Sequence, residues 1–263
     1  PLMYAARDNE NAAVVQALID AGANLEAHTE YGSTPLMLAT QYYRNVEVVQ
    51  ALLDAGADLE ARTEYGYTPL MLATEYYRNV EVVQALTNAG ADLEARTEYG
   101  WTPLMYAAGN NENAELVQAL LDAGADLEAR TEYGYTPLMY AARDNENAAV
   151  VQLLLDAGAD LEARTENGST PLMEAAGWNE NAAVVQLLLD AGADLEARDE
   201  DGYTPLMWAA RHNESSVVQA LLDAGADATA TNEDGETAWD LIQENEALEG
   251  SPAYWALNDL RFQ

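Results

Sequence analysis

The chain has 263 residues, 46 acidic side chains against 11 basic ones, a net charge of −35 and no cysteine. Disulfides, thiolate metal sites and cysteine nucleophiles are thereby excluded. A surface of this sign repels phosphate backbones and anionic lipid, which makes nucleic acid and acidic membranes poor partners. Proteins or peptides with basic residues, and loosely held divalent cations, fit the charge better, although excess acid also serves simply to keep an elongated chain soluble. All the basic residues are arginine, and this lysine-free, acid-rich composition resembles that of proteins from high-salt organisms. No apolar run approaches membrane-spanning length, so a soluble monomer is expected, cytoplasmic if natural. Pro1 falls inside a repeating pattern, and a segment before it is not excluded.

Periodicity comes before any division into domains. The tetrad Thr-Pro-Leu-Met recurs at Thr34, Thr68, Thr102, Thr136, Thr170 and Thr204, each 34 residues after the last, and the chain opens within a further copy at Pro1-Leu2-Met3. Asp58–Ala91 shows the unit. Thr68-Pro69 marks a helix start, with a threonine cap and a proline at the first helical position, where no needed donor is lost. This first helix has small residues, paired at Ala141-Ala142 and Ala175-Ala176 in later copies, that allow close approach of a neighbour. A turn follows, Tyr77-Arg78-Asn79 or Asn145-Glu146-Asn147, whose last Asn is placed to cap a second helix with Val82, Val83 and Leu86 on one stripe. Gly90 ends that helix in the manner of a left-handed C-terminal cap. Asp92 to Tyr99 is then an extended finger, closed by a turn whose Gly100 takes positive φ. Glycines at both places, and prolines at the first-helix start, recur with the period throughout the chain.

Two-helix units of this length are shared by more than one repeat family. The proline opens the first helix instead of ending the unit, and a non-helical finger separates successive pairs. The finger and helix start read T-E-Y-G-Y-T-P-L-M-Y-A-A. On these motifs the chain resembles the ankyrin repeat family from Pro1 to roughly Ile242. The resemblance implies an all-α solenoid of helix-turn-helix pairs joined by β-hairpin-like fingers. It is organised as a single domain over 1–263: about seven pairs in 1–235 and a C-terminal capping module in 236–263. Two departures stand out. The family's histidine is methionine in every copy, which replaces a polar contact with the threonine by an apolar, adaptable side chain. The turn between helices is a residue longer, with asparagine where glycine is usual; asparagine is the residue that best tolerates the left-handed region after glycine.

Comparison between copies locates the variation. Position by position it falls beside the turn glycine (Tyr65, Tyr99, Tyr133, Asn167 and Asp201 before it; Ser33, Tyr67, Trp101, Tyr135, Ser169 and Tyr203 after it), after the methionine (Leu38, Leu72, Tyr106, Tyr140, Glu174, Trp208) and at the end of the first helix (Tyr76, Trp178, His212). The residue after methionine and those at the helix end share a helical face, and Glu174 among aromatics suggests an unsealed one. The resemblance implies that finger turns and this helix face form a concave recognition surface. Its candidate partner-binding residues are Tyr65, Tyr67, Tyr76, Tyr99, Trp101, Tyr106, Tyr133, Tyr135, Tyr140, Trp178, Tyr203 and Trp208. Interleaved glutamates suit it to arginine- or lysine-bearing partners through cation–π contact and ion pairing. Against this, tyrosines repeating in register could stack on one another and only stiffen the fingers. The in-register arginines Arg62, Arg96, Arg130, Arg164 and Arg198, flanked by glutamates, read as a structural ladder.

Nothing points to catalysis. His28 and His212, the only histidines, lie far apart in repeat number and allow no triad or histidine metal site. Asp199-Glu200-Asp201-Gly202 fails as a calcium loop at both ends. The carboxylates sit in open, repetitive positions where nothing singles out one for a raised pKa. No cofactor is implied. Two functions remain: a non-catalytic protein- or peptide-binding module, and a designed or consensus-like scaffold with no natural partner.

Overall fold

The computed structural model describes residues 1–8, 11–42, 45–75, 79–110 and 113–260, with the side chain of Tyr42 also outside the description. The described residues form helices and connecting turns, without strands. Two compact units divide the chain: residues 1–107 with 113–129, and residues 108–112 with 130–263. In the first unit, first helices α1 (Leu2–Asp8), α3 (Pro35–Tyr42) and α5 (Pro69–Glu75) pack in succession. So do second helices α2 (Ala12–Asp20), α4 (Val46–Asp54), α6 (Val80–Asn88) and α8 (Ala114–Ala123). Helix α7 (Pro103–Asn110) lies at the division. The second unit repeats the scheme with α9 (Pro137–Asp144), α11 (Pro171–Trp178) and α13 (Pro205–His212) as first helices. Its second helices are α10 (Ala148–Asp156), α12 (Ala182–Asp190) and α14 (Ser215–Asp223). It closes with α15 (Ala238–Ile242) and α16 (Pro252–Leu260), which pack on α13, α14 and each other and seat Trp239 on Tyr254.

Each pair follows from its residues. The threonine before the proline accepts from the methionine amide three residues on, as Thr136 does from Met139 at 3.3 Å. The methionine answers: Met37, Met105, Met139 and Met207 place Sδ 3.4 to 3.5 Å from the amides of Thr34, Thr102, Thr136 and Thr204. The polar contact expected to vanish with histidine is therefore kept in weaker form, by a thioether acceptor. The first helices α5, α9 and α11 are buried almost all round, whereas the second helices bury one stripe, such as Val82, Val83 and Leu86. Asn45, Asn79, Asn113, Asn147 and Asn181 each cap a second helix, their side chains accepting from the amide two residues on. The shorter turn before α14 puts Glu214 at that position, with no side-chain cap. Gly90 ends α6 at φ +94°, in the left-handed region that glycine enters freely.

Asparagine in the turn serves differently from the expectation. Asn145, Asn179 and Asn213 have φ of −96°, −95° and −114°, so none is left-handed. They are buried, and their amides bond the preceding copy. Asn179 Nδ2 donates to Ala142 O at 2.9 Å and Asn145 O at 3.0 Å, and Asn213 Nδ2 to Ala176 O at 2.8 Å and Asn179 O at 3.0 Å. Asn245 continues the ladder to Ala210 O and Asn213 O. The amide, not the backbone angle, selects asparagine.

The fingers are tied by a second ladder. Arg62 Nη1 donates to Gly66 O at 3.3 Å within its own finger and to Arg96 O at 2.7 Å in the next. In the second unit Arg130, Arg164 and Arg198 repeat both bonds, reaching Arg164 O, Arg198 O and Thr231 O at 2.7 Å. The glutamates beside these arginines act on amides: Glu60 and Glu94, like Glu26 beside His28, accept from the N–H groups of Asp92, Asp126 and Asp58, respectively, at 2.7 to 2.9 Å. Charged side chains thus satisfy backbone groups across repeats, bonds that are stronger than their neutral counterparts.

The ladders and the charge each carry a measurable consequence. Asn179→Ala leaves buried carbonyls unmet and should cost about 1–3 kcal/mol in urea unfolding, whereas Gln186→Ala on the exposed face of α12 should change stability by under about 0.5 kcal/mol. Because 46 acids face 11 bases, screening relieves self-repulsion. The melting temperature should rise from low to moderate salt, and with millimolar divalent cation; a fall would contradict the dominance of repulsion.

Candidate functional site

The aromatic positions separate into three kinds. Tyr65 and Tyr99 in the first unit, and Tyr133 in the second, stand at the finger turns 64%, 65% and 61% exposed. Among the described residues their rings contact no other ring, so they do not stack along the period. Their turns are closed by backbone bonds, from Gly66 N to Thr63 O, Gly100 N to Thr97 O and Gly134 N to Thr131 O; in the second unit Gly134, at φ +80°, also lies so close to the next finger that a Cβ would sit 3.1 Å from Glu166 N, and Tyr133 O accepts from that same amide at 2.9 Å. Exposed rings on a held turn suit contact with another molecule.

The residues after the turn glycine form the second kind. In the first unit Tyr67 and Trp101 are half-buried and flank Tyr106, with centroids 5.5 and 4.9 Å from its ring, over Met71 and Ala95. Tyr106 is buried and donates its hydroxyl to Tyr67 at 3.2 Å. Burial, then that bond, pushes the Tyr106 phenol far above its ordinary range. In the second unit Tyr135 stacks on Tyr140 at 5.4 Å, and burial raises both phenols. Tyr106, Tyr140 and Tyr203 are thus packed against neighbours and not presented as contact area, a correction to the expectation that all these aromatics share one open face. Tyr76 lies outside the described residues.

The third cluster gathers at the end of the second unit. Trp178, 47% exposed, packs 6.3 Å from Trp208 and stacks on His212 at 5.0 Å, and Trp208 touches Tyr203 at 5.4 Å. Gly177 admits Trp208, whose Cε3 would lie 3.5 Å from an added Cβ. Trp208 Nε1 donates to Asp199 Oδ2 at 2.9 Å, and Asp199 Oδ1 accepts from the amides of Asp201 and Tyr203. The acidic tetrad at Asp199 is therefore a finger turn, with aspartate in the role threonine plays in other copies. Arg143 lies over the Trp178 ring at 5.4 Å and Arg211 over Tyr203 at 5.9 Å, with Arg211 Nη1 donating to the Tyr203 hydroxyl at 2.7 Å. Burial and the neighbouring Arg211 charge depress the His212 pKa.

Glu174 does not mark the unsealed face that its place among aromatics suggests. It is only 4% exposed. Ser169 Oγ donates to its Oε1 at 2.6 Å, while Oε2 receives no hydrogen bond among the described residues and has Arg143 Nη1 at 4.0 Å. Burial raises its pKa, opposed by the Ser169 bond and the Arg143 charge. Ser169 and Glu174 stand where Tyr135 and Tyr140, or Tyr203 and Trp208, stand in neighbouring copies, so a polar pair replaces an aromatic pair as a unit. Among the described residues no group of three or more histidines and carboxylates is arranged to hold a metal ion.

A raised carboxyl pKa means that the folded state holds the proton more tightly than the unfolded one. Glu174 therefore favours folding most below the ordinary glutamate range, and that contribution is lost as pH rises through its elevated folded pKa. Glu174→Gln keeps an acceptor for Ser169 without the buried charge. It should equal or exceed the parent in stability at neutral pH, by up to about 1–3 kcal/mol. The difference should shrink on acidification, as measured by urea unfolding across pH.

The comparisons with known proteins agree with this architecture. A family model of ankyrin repeats (three copies) matches residues 2–97, 93–165 and 144–232. A crystal structure of the ankyrin repeat domain of Bcl-3, described as a unique member of the IkappaB protein family, is 33% identical, with a TM-score of 0.70 over 84% of this chain and 97% of that one. No curated protein matches the sequence. With motif, fold and family model in accord over most of its length, the chain belongs to the ankyrin repeat family.

Proposed function

We propose that the protein is a non-catalytic binding module for protein or peptide partners bearing basic residues, as ankyrin repeat domains generally mediate protein–protein interaction. The observation that supports this reading is the set of large aromatic side chains held in water on fixed turns, Tyr65, Tyr99 and Tyr133, each preceded by a glutamate, together with exposed Trp178. Tyrosine on a rigid turn offers wide contact area at low entropic cost. An adjoining carboxylate favours an arginine or lysine lying over the ring. Within each unit half-buried rings add to the contact area, Tyr67 and Trp101 in the first and Tyr135 and Trp208 in the second. Tyr106, Tyr140 and Tyr203 support them from beneath.

A scaffold of consensus or designed origin, without a natural partner, is the second reading. It is favoured by the sameness of the repeated bonds: in the second unit Arg130, Arg164 and Arg198 each meet the next finger's carbonyl at 2.7 Å.

The two readings part on binding. Titrated with a panel of arginine-rich, lysine-rich and neutral peptides, the protein should bind basic members preferentially and with affinity that falls as salt rises. The double variant Tyr65→Ala, Tyr99→Ala should weaken binding at least about tenfold with little change in melting temperature, because these rings pack on no other ring. Uniform, weak binding across the panel would favour the scaffold reading.

A further inference from the structure

Four arginines in the described fingers act alike: Arg62, Arg130, Arg164 and Arg198 each bridge the carbonyl of their own turn glycine and a carbonyl of the following finger. The first finger of the first unit breaks the series. Position 28, one repeat before Arg62, is histidine. Its imidazole is shorter than an arginine side chain and has no nitrogen that can donate to two carbonyls at once; its Nδ1 lies 3.3 Å from Thr29 O, within its own finger. The two carbonyls that a guanidinium would bridge are Gly32 O and Arg62 O, and neither receives a hydrogen bond among the described residues. The Arg62 guanidinium is engaged on the other side, with Gly66 and Arg96.

A cavity of about 690 Å³ opens where this rung would be, walled by His28, Gly32 and Arg62 and by the carboxylates of Glu26, Glu30, Asp58 and Glu64. Packing is looser around it. Ala61 and Thr63 are half-buried, whereas Ala95 and Thr97, their equivalents one finger on, are buried at 2% and 8% exposure. From this geometry we infer that the cavity is a binding site for a guanidinium group, the side chain of an arginine on a protein partner. Such an arginine supplies the rung that His28 does not: one terminal nitrogen meets Gly32 O and Arg62 O, as Nη1 does at the neighbouring fingers, and its remaining N–H groups and its charge are balanced by Glu30 and Glu64. The ligand class is set within the molecule itself, since the equivalent carbonyls accept from a guanidinium at the neighbouring fingers. An ammonium can meet two carbonyls but has no second nitrogen to pair with a carboxylate at the same time, so lysine fits less well.

The arginine's belonging to a protein rests on the proposed function, whereas the guanidinium chemistry does not. Thermal unfolding is therefore followed with N-acetyl-L-argininamide and, at equal ionic strength, N-acetyl-L-lysinamide. The arginine compound should raise the melting temperature more than the lysine compound. His28→Arg should raise it without ligand and abolish the difference between the two compounds, because its own side chain occupies the site. His28→Ala, which keeps the carbonyls and carboxylates, should preserve the difference. Equal shifts with both compounds, a difference that survives in His28→Arg, or its loss in His28→Ala would each overturn the inference. The same comparison, set beside the peptide titration of the unsubstituted protein, separates the two proposals. An arginine-specific shift without peptide binding rejects the binding-module reading alone, and peptide binding without that shift rejects the cavity alone.

Discussion

Backbone groups left over where one repeat meets the next are the constraint on which this structure depends. A helix pair with a finger satisfies its own ladder, but carbonyls at the end of the first helix and in the finger turn point at the neighbouring copy. Those at the end of the first helix are buried, as at Ala108 O and Ala142 O, and without partners each would cost on the order of 1–3 kcal/mol. Three side chains meet them at a spacing close to the period: asparagine amides reach the first-helix carbonyls, arginine guanidinium groups reach the finger carbonyls, and glutamate carboxylates take the finger amides. These bonds join residues 32 to 37 positions apart and fix the register between copies. Apolar packing alone, which is non-directional, would leave that register free.

The same ladders explain how so acidic a chain stays folded. Many of the carboxylates are not loose charges. Glu26, Glu60 and Glu94 hold amides, and the aspartates that donate those amides turn their own side chains to the residue two positions on, as Asp92 does for Glu94 at 2.9 Å. At the C-termini of the second helices, Asp54, Asp122, Asp156 and Asp190 accept from glutamines one turn earlier. Acid is thus used as an acceptor wherever the backbone or an amide offers a donor. What remains is long-range repulsion, which salt screens.

Most of this fold is legible in sequence because its signals are local and repeated. Proline at the first helical position, asparagine at the cap of the second helix and glycine in the left-handed region each act within a few residues, and the period multiplies them. The bonds that a local pattern does not show act between copies. Asn145 and Asn179 read as residues tolerant of an unusual backbone because their partners, Ala108 O and Ala142 O, lie 37 positions away. The arginine ladder is legible as a ladder, but its partners are carbonyls, which no side-chain pattern reveals. Among site residues, the expected exposure fails at Tyr106, Tyr140 and Tyr203 because a residue's place in the repeat does not state which rings of its own finger and helix, or of the preceding finger, pack against it.

The pairing of the finger residue with the residue after methionine refines that lesson. Tyr135 with Tyr140, and Tyr203 with Trp208, fill the space between finger and helix with rings, whereas Ser169 with Glu174 fills it with a hydroxyl–carboxylate bond. Either solution works because the finger backbone is held independently: Thr165 N donates to Ser169 O at 3.0 Å as Thr131 N does to Tyr135 O. A frame that satisfies its own backbone leaves these five-residue-spaced positions free to vary, together as from Tyr135/Tyr140 to Ser169/Glu174 or singly as from Ser33/Leu38 to Tyr67/Leu72. The single residues that vary without a packed partner, the exposed tyrosines and His28, are where a contact outside the repeat is to be sought.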